Sequence, residues 1–151
     1  MERNGTMNGN MDDRCLCIDL RSAAQRLTQI YDEAMAETGI SVTQFSQLHM
    51  IQSLRGPTLS ALAEASQLER STLGRNVKVL QKLGLVELKP GQDARSKSIH
   101  LTRKGKNTFK RAAPLWYRAQ SELLHRLGLE GRAQLDEMLT QLTAPLAANQ
   151  T

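Results

Sequence analysis

Apolar residues recur at three- and four-residue steps along most of this chain, and only between Leu85 and Thr102 does the period fall to about two. A period near 3.6 marks amphipathic helices, and a period of two marks strands with one buried face. The switch predicts two strands, Leu85-Val86-Glu87-Leu88-Lys89 and Ser98-Ile99-His100-Leu101-Thr102, forming a β-hairpin inside a helical chain. The loop from Pro90 to Lys97 is longer than a tight turn and too polar to be buried, so it is expected to project.

Four helices precede the hairpin. The first covers residues 19–37, with Leu20, Leu27, Ile30 and Tyr31 on one face and Gly39 as its stop. Ser41 or Thr43 can cap a second, which buries Phe45, Leu48, Ile51 and Leu54 and ends at Arg55-Gly56-Pro57. A short helix over 58–66 is followed by a break at Gln67-Leu68. The fourth, over 70–83, has Leu73, Val77 and Leu80 as its buried stripe and Gly84 as its close.

After Gly105 a long helical tract carries Leu115, Trp116, Ala119, Leu123, Leu124 and Leu127, and Pro114 is expected to kink or interrupt it. A break over 128–131 precedes a last helix with Leu135, Met138, Leu139 and Leu142, extending toward Leu146. Helices at both ends, with too little surface to bury them alone, are expected to pair with a second copy.

Charge is unevenly placed. The net charge is +5, yet 12 of the 20 Lys and Arg fall within residues 70–111, against two acids, Glu87 and Asp93. The rest of the chain has an acidic excess. Such a cationic block is the footprint of a surface that binds a polyanion. Five aromatic residues in 151 are too few for base-stacking modules that bind single strands or RNA loops.

Two short helices with a tight turn form a helix-turn-helix, whose second helix fits the major groove. The helix over 70–83 has the residues this role needs. Arg70, Ser71, Thr72, Arg75 and Asn76 lie near its start, where base edges are read, and Lys78 and Lys82 can reach phosphates. Arg suits guanine and Asn suits adenine by paired hydrogen bonds. The loop with Asp93, Arg95 and Lys97 is the expected wing, with Arg95 at the minor groove. Asp93 either holds the Arg95 guanidinium or shapes the turn with its own side chain.

The run Asp93-Ala94-Arg95-Ser96-Lys97-Ser98-Ile99-His100-Leu101-Thr102-Arg103-Lys104-Gly105 resembles the D-x-R-x-K-x-(I/V)-x-L-T-x-x-G signature of the MarR family of bacterial regulators. Ser71-Thr72-Leu73-Gly74-Arg75, with Leu80 and Lys82-Leu83-Gly84-Leu85-Val86, is similar to that family's recognition helix and its exit. The likeness covers about residues 18–147 and is tight over 70–105. Ala94 departs from it, since many members have a second basic residue there. The resemblance implies a winged helix-turn-helix, mainly α with a small hairpin wing, over about 43–103. Dimerisation helices, over about 15–38 and 104–147, would flank it in a single domain of residues 15–151. It implies a homodimer on a pseudo-palindromic duplex operator, with repression as the default. It makes Arg75 a major-groove contact, and Asp93 with Arg95 the wing pair.

Members of the family release DNA in response to a small molecule or a modified cysteine. A pocket between the dimer helices and the DNA-binding unit would take an apolar or phenolic ligand, with Tyr31, His49 and Trp116 as liners, although each also reads as plain core. Cys15-Leu16-Cys17 offers a second input. Thiols near a helix start are reactive and can meet an oxidant or a thiophilic metalloid. The motif resembles a C-x-C before the first helix in a subgroup of the family. A disulfide inside C-x-C would be strained, which favours pairing across a dimer. Equally, a cysteine is a small hydrophobe at a helix start.

No cofactor is required by any motif, and no enzyme is expected, because phosphate-cradling loops, zinc-protease motifs and paired catalytic carboxylates are missing from the sequence. His49, His100 and His125 lack ligand spacing, although Cys15, Cys17 and one His would suit a metal. His100 is expected to face solvent or phosphate. No run of about 18 apolar residues predicts a membrane span. Residues 1–14, rich in Asn, Gly and Asp, read as a disordered tail without the apolar centre of a signal peptide. A cytoplasmic protein with reduced thiols is expected.

Overall fold

The computed structural model describes residues 15–91 and 96–145. It is mainly helical, with one two-stranded antiparallel hairpin, and has the winged helix-turn-helix arrangement. The order is α1 (Leu16–Ala34), a 3-10 turn (Ala36–Thr38), α2 (Val42–Ser53), α3 (Leu59–Ser66), α4 (Arg70–Lys82), β1 (Val86–Pro90), β2 (Lys97–Leu101) and α5 (Arg103–Thr143).

Local chemistry sets most of these boundaries. Ser41 caps α2 in a reciprocal box with Gln44, and the Asp32 carboxylate of α1 accepts from Val42 N at 2.6 Å. So α2 is fixed to α1 at its first turn. Thr58 caps α3 and Thr102 caps α5, each through its hydroxyl. Gly39 takes the left-handed conformation that ends the 3-10 turn, in place of one helix running to residue 37.

The core sits where α2, α3 and α4 meet the hairpin and the first half of α5. Leu48, Ile51, Leu62, Leu73, Leu80 and Ile99 are among its fully enclosed side chains. Phe45 stacks between Phe109 and Trp116, with ring centroids 5.1 and 5.5 Å away. The hairpin pairs Val86 with Leu101 through to Pro90 with Lys97, which puts Pro90 at the end of a strand, where its missing N–H costs no ladder bond. A short third pairing was not anticipated: Ile99 N donates to Pro57 O at 2.8 Å, and Thr58 bridges Ser98.

Two expectations are corrected in α5. The helix continues through Pro114, because only one backbone bond is forfeited while Ala112 and Ala119 remain packed on either side. The expected break over 128–131 narrows to Gly128, whose φ of 69° and ψ of 171° leave the helical region for a single residue. The helix also starts at Arg103 rather than after Gly105.

The first turn of α5 lies against the turn that closes α4. Thr102 N donates to Leu85 O at 3.0 Å, Thr102 Oγ1 donates to Gly84 O at 2.6 Å, and Lys104 Nζ donates to Leu83 O at 2.7 Å. Gly105 is buried so close to this turn that a Cβ would stand 2.0 Å from Leu85 O. A glycine is therefore required there by backbone approach. Gly105→Ala should lower the unfolding free energy by about 1–3 kcal/mol, as overpacking does. Urea unfolding at one fixed protein concentration checks this, and an unchanged midpoint would remove the requirement.

Candidate nucleic-acid interface

α4 divides cleanly into two faces. Leu73, Val77 and Leu80 are buried, while Arg70, Ser71, Arg75, Lys78 and Lys82 are exposed and Thr72 and Asn76 are half-buried. At 100° per residue, Ser71, Arg75, Lys78 and Lys82 fall opposite the buried stripe, so three cations share one outward line. Arg75 Nη2 donates to Thr72 Oγ1 at 3.3 Å, which holds the guanidinium along the helix surface. Neither face carries an acid. Glu69, just before the helix, makes no side-chain cap.

α3 and α4 meet through a turn at Gln67, whose φ is 54°. Between α4, the start of α3 and the hairpin lies a cleft of ≈ 500 Å³. Its floor is apolar, from Leu59, Val77, Leu88 and Ile99, and its rim carries Arg70, Lys78 and Lys97. Lys97 is exposed at the root of the hairpin loop, so the sequence-identified cations from α4 and from the wing border one concavity. Asp93 and Arg95 lie outside the described residues.

Not every cation in the basic block faces outward to a ligand. Lys104 is engaged with the end of α4, and Lys89 pairs with Glu87 at 3.0 Å on the surface. His100 is half-buried rather than free: its Nε2 is 2.9 Å from Ser98 Oγ, and its ring fills the space beside Gly56, where a Cβ would come within 2.3 Å. Gly56, at φ 90°, has to be glycine for both reasons. The sequence signal for these roles was thin, since a lysine and a histidine at surface-like spacing look the same whether or not they are used internally.

Tyr31, His49 and Trp116 do come together. With Val42, Phe45, Ser46 and Tyr117 they line a cavity of ≈ 320 Å³ between α1, α2 and α5. Tyr31 stacks on Trp116 at 6.1 Å, and its hydroxyl donates to Gln120 Oε1. Burial pushes the Tyr31 phenol above its ordinary range, with Arg132 acting in the opposite sense, so it stays neutral and a donor near pH 7.

Cys15 and Cys17 are free and exposed. Cys15 occupies the N-cap position of α1, Cys17 sits in its first turn, and Arg21 Nη2 lies 4.0 Å from Cys17 Sγ. Among the described residues no group of three or more His, Cys, Asp and Glu is placed to hold a metal, and no helix is long and apolar enough to cross a membrane.

The MarR family model matches residues 38–96, from the 3-10 turn to the hairpin loop. MosR, a transcriptional regulator of M. tuberculosis solved in complex with DNA, is 40% identical over 85% of this chain and 96% of that one, with a TM-score of 0.74. A cysteine-to-serine mutant of MarR from E. coli, complexed with operator DNA, is 22% identical, covers 85% and 94% of the two chains and has a TM-score of 0.76. BpsR of Bordetella bronchiseptica, whose DNA binding is regulated by 6-hydroxynicotinic acid, is 16% identical over 92% and 100%, with a TM-score of 0.76. The last two show likeness of fold. No curated protein matches the chain. The family match across the helix-turn-helix, together with the extent and identity of the MosR likeness, places this chain in the MarR family of DNA-binding transcriptional regulators, which are not enzymes.

Proposed function

We propose that this protein is a homodimeric cytoplasmic repressor that binds a pseudo-palindromic duplex operator and leaves it when a signal arrives. The observation that carries the reading is the outward line of Ser71, Arg75, Lys78 and Lys82 on α4, with no acid beside it. In this reading α4 enters the major groove. Arg75 reads a guanine edge, Thr72, Ser71 and Asn76 read its neighbours, and Arg70, Lys78, Lys82 and Lys97 neutralise phosphates. The wing brings Arg95 to the minor groove, with Asp93 holding it and Ala94 leaving that grip weaker than a second cation would.

Pairing is supported by surface that one copy leaves bare. α1 buries no residue, and Leu16, Ile18, Leu27, Leu127, Met138 and Leu142 are all exposed, with Leu129 95% exposed beyond the Gly128 break. Apolar area on this scale marks an association surface. It fits regions of about 15–38 and 104–147 as the dimer helices around a DNA-binding unit over 43–103. Two copies of α4, related by a twofold axis, then match two half-sites.

Two inputs suit the molecule. The aromatic cavity around Tyr31 and Trp116 fits a small-molecule effector. The exposed Cys15 and Cys17, with Arg21 beside one sulfur, fit an oxidant or metalloid. No bound cofactor is needed for either.

A duplex selected from a random library supplies the operator. On it, Arg75→Ala should cost about 1–3 kcal/mol and relax preference at one base position. Lys82→Ala should weaken selected and unrelated duplexes alike and reduce the slope of log K against log salt by about 0.9. Normal operator binding by Arg75→Ala would sink the assignment of α4. Separately, peroxide or arsenite should release the operator from the wild type but not from the Cys15→Ser/Cys17→Ser double variant. Equal release from both would remove the cysteine input.

A further inference from the structure

The aromatic cavity is one end of a longer feature. A second cavity of ≈ 400 Å³ shares His49 and Tyr117 with it and adds Phe109, Gln52 and Arg55. A third, of ≈ 280 Å³, shares Gln52 and Arg55 with the second and ends at Lys89, His100 and Lys106. Shared walls make the three a trough running the length of α2, whose 12 residues span about 18 Å.

The two ends differ in chemistry. Trp116, Tyr31 and Phe45 form the inner end, and Tyr117 stands over the middle with 61% of its surface exposed. Phe109 and His49, stacked at 5.9 Å, line that middle. The outer end has Arg55, Lys106 and Lys89, and no acid lines any of the three cavities. Lys89 is already paired with Glu87, but the side chains of Arg55 and Lys106 have no ion pair among the described residues. Arg55 also holds a left-handed backbone, φ 54°, at the end of α2, a conformation uncommon for a residue other than glycine. A free cationic pair at one end and an exposed aromatic wall along the rest complement a molecule with an anionic head and a long apolar body.

We infer that the trough takes an elongated apolar acid, a carboxylate on an acyl or arylalkyl chain. Its head lies between Arg55 and Lys106, and its chain lies along Phe109, His49 and Tyr117 toward Trp116. The assignment rests on the proposed reading that a small molecule controls DNA binding, and it adds the chemical class and the orientation. Two unpaired cations give the head charge-assisted hydrogen bonds, and an arginine offers the paired geometry a carboxylate fits. The chain gains by burial, methylene by methylene.

Trp116 is the only tryptophan in the chain, so its fluorescence reports on the inner end directly. The probes are straight-chain carboxylic acids of roughly four to twelve carbons, together with the primary amides of the same lengths. Acids should bind at least tenfold tighter than their amides, and each methylene should tighten both by up to about fourfold until the trough is full. Arg55→Gln and Lys106→Gln should bring the acids down to the affinity of the amides while leaving the amides unchanged. Tyr117→Ser should flatten the dependence on length. Equal binding of acid and amide, absence of a length dependence, or an acid preference that survives Arg55→Gln would each overturn the assignment. Loss of DNA affinity and salt slope in Arg55→Gln, with the acid preference intact, would make Arg55 a phosphate contact instead and overturn it as well. In a parallel arm the longest acid should release the selected duplex from the wild type and fail to release it from Arg55→Gln. Binding without release overturns the regulatory role, whereas an unliganded protein that never binds duplex DNA would be a failure of the repressor reading itself.

Discussion

The placement of the recognition helix depends on one backbone junction. A helix ends with carbonyls that have no partner within it, and these must be satisfied or left to water. In α4 the carbonyls of Leu83, Gly84 and Leu85 at that end receive Lys104 Nζ, Thr102 Oγ1 and Thr102 N. The same four residues, Thr102 to Gly105, also start α5, with Thr102 Oγ1 accepting from Gly105 N at 3.0 Å. One hydroxyl therefore donates to the end of one helix and accepts from the start of the next. Because Gly105 has no Cβ, the two backbones touch, and a side chain of any size would open the joint. The orientation of α4 is set by α5 as much as by the core beneath it.

This junction sorts the cations of the basic block. A lysine donating to a carbonyl adds nothing to phosphate affinity, and an exposed pair such as Lys89 with Glu87 contributes about 0–1 kcal/mol. The outward residues of α4 and Lys97 have neither restraint. They bear on binding through counterion release, which grows with the number of phosphates neutralised rather than with net charge. Net charge was thus a coarse guide, and position on the helix is the finer one.

Much of this fold was legible because its elements are amphipathic with clear ends. The stripe of Leu73, Val77 and Leu80, the alternation about Ile99 and the caps at Ser41 and Thr102 each state a local rule that packing then obeys. Pro114 and the 128–131 segment misled for one reason. Breakers act on local propensity, whereas α5 is held by contacts with α1, α2 and the hairpin, and packing outweighs the loss of one hydrogen bond. The third pairing at Pro57 was invisible because a two-residue bridge has no period. At the candidate site, the outward residues of α4 follow from helical geometry alone. The internal use of Lys104 and the shelter of His100 beside Gly56 do not, since both depend on residues far off in sequence.

Communication between a signal and DNA requires more than a filled cavity. A ligand that binds two arrangements equally shifts neither, and moving a population from 99:1 to 1:99 needs a preference of about 10⁴-fold, or about 5.5 kcal/mol. The trough has a geometry able to express such a preference. Its wall changes from α2 to α5 at the head-group end, where Arg55 follows the last turn of α2 and Lys106 lies one residue beyond Gly105. An anion bridging these two cations is sensitive to their separation, and that separation is the distance between the body of the DNA-binding unit and the first turn of α5. The end of α4 is bonded to that same turn. A change of a fraction of an ångström between Arg55 and Lys106 must therefore be taken up at the joint that orients α4, so the charge at the head of the ligand, more than the bulk of its chain, is the part coupled to the groove-facing helix.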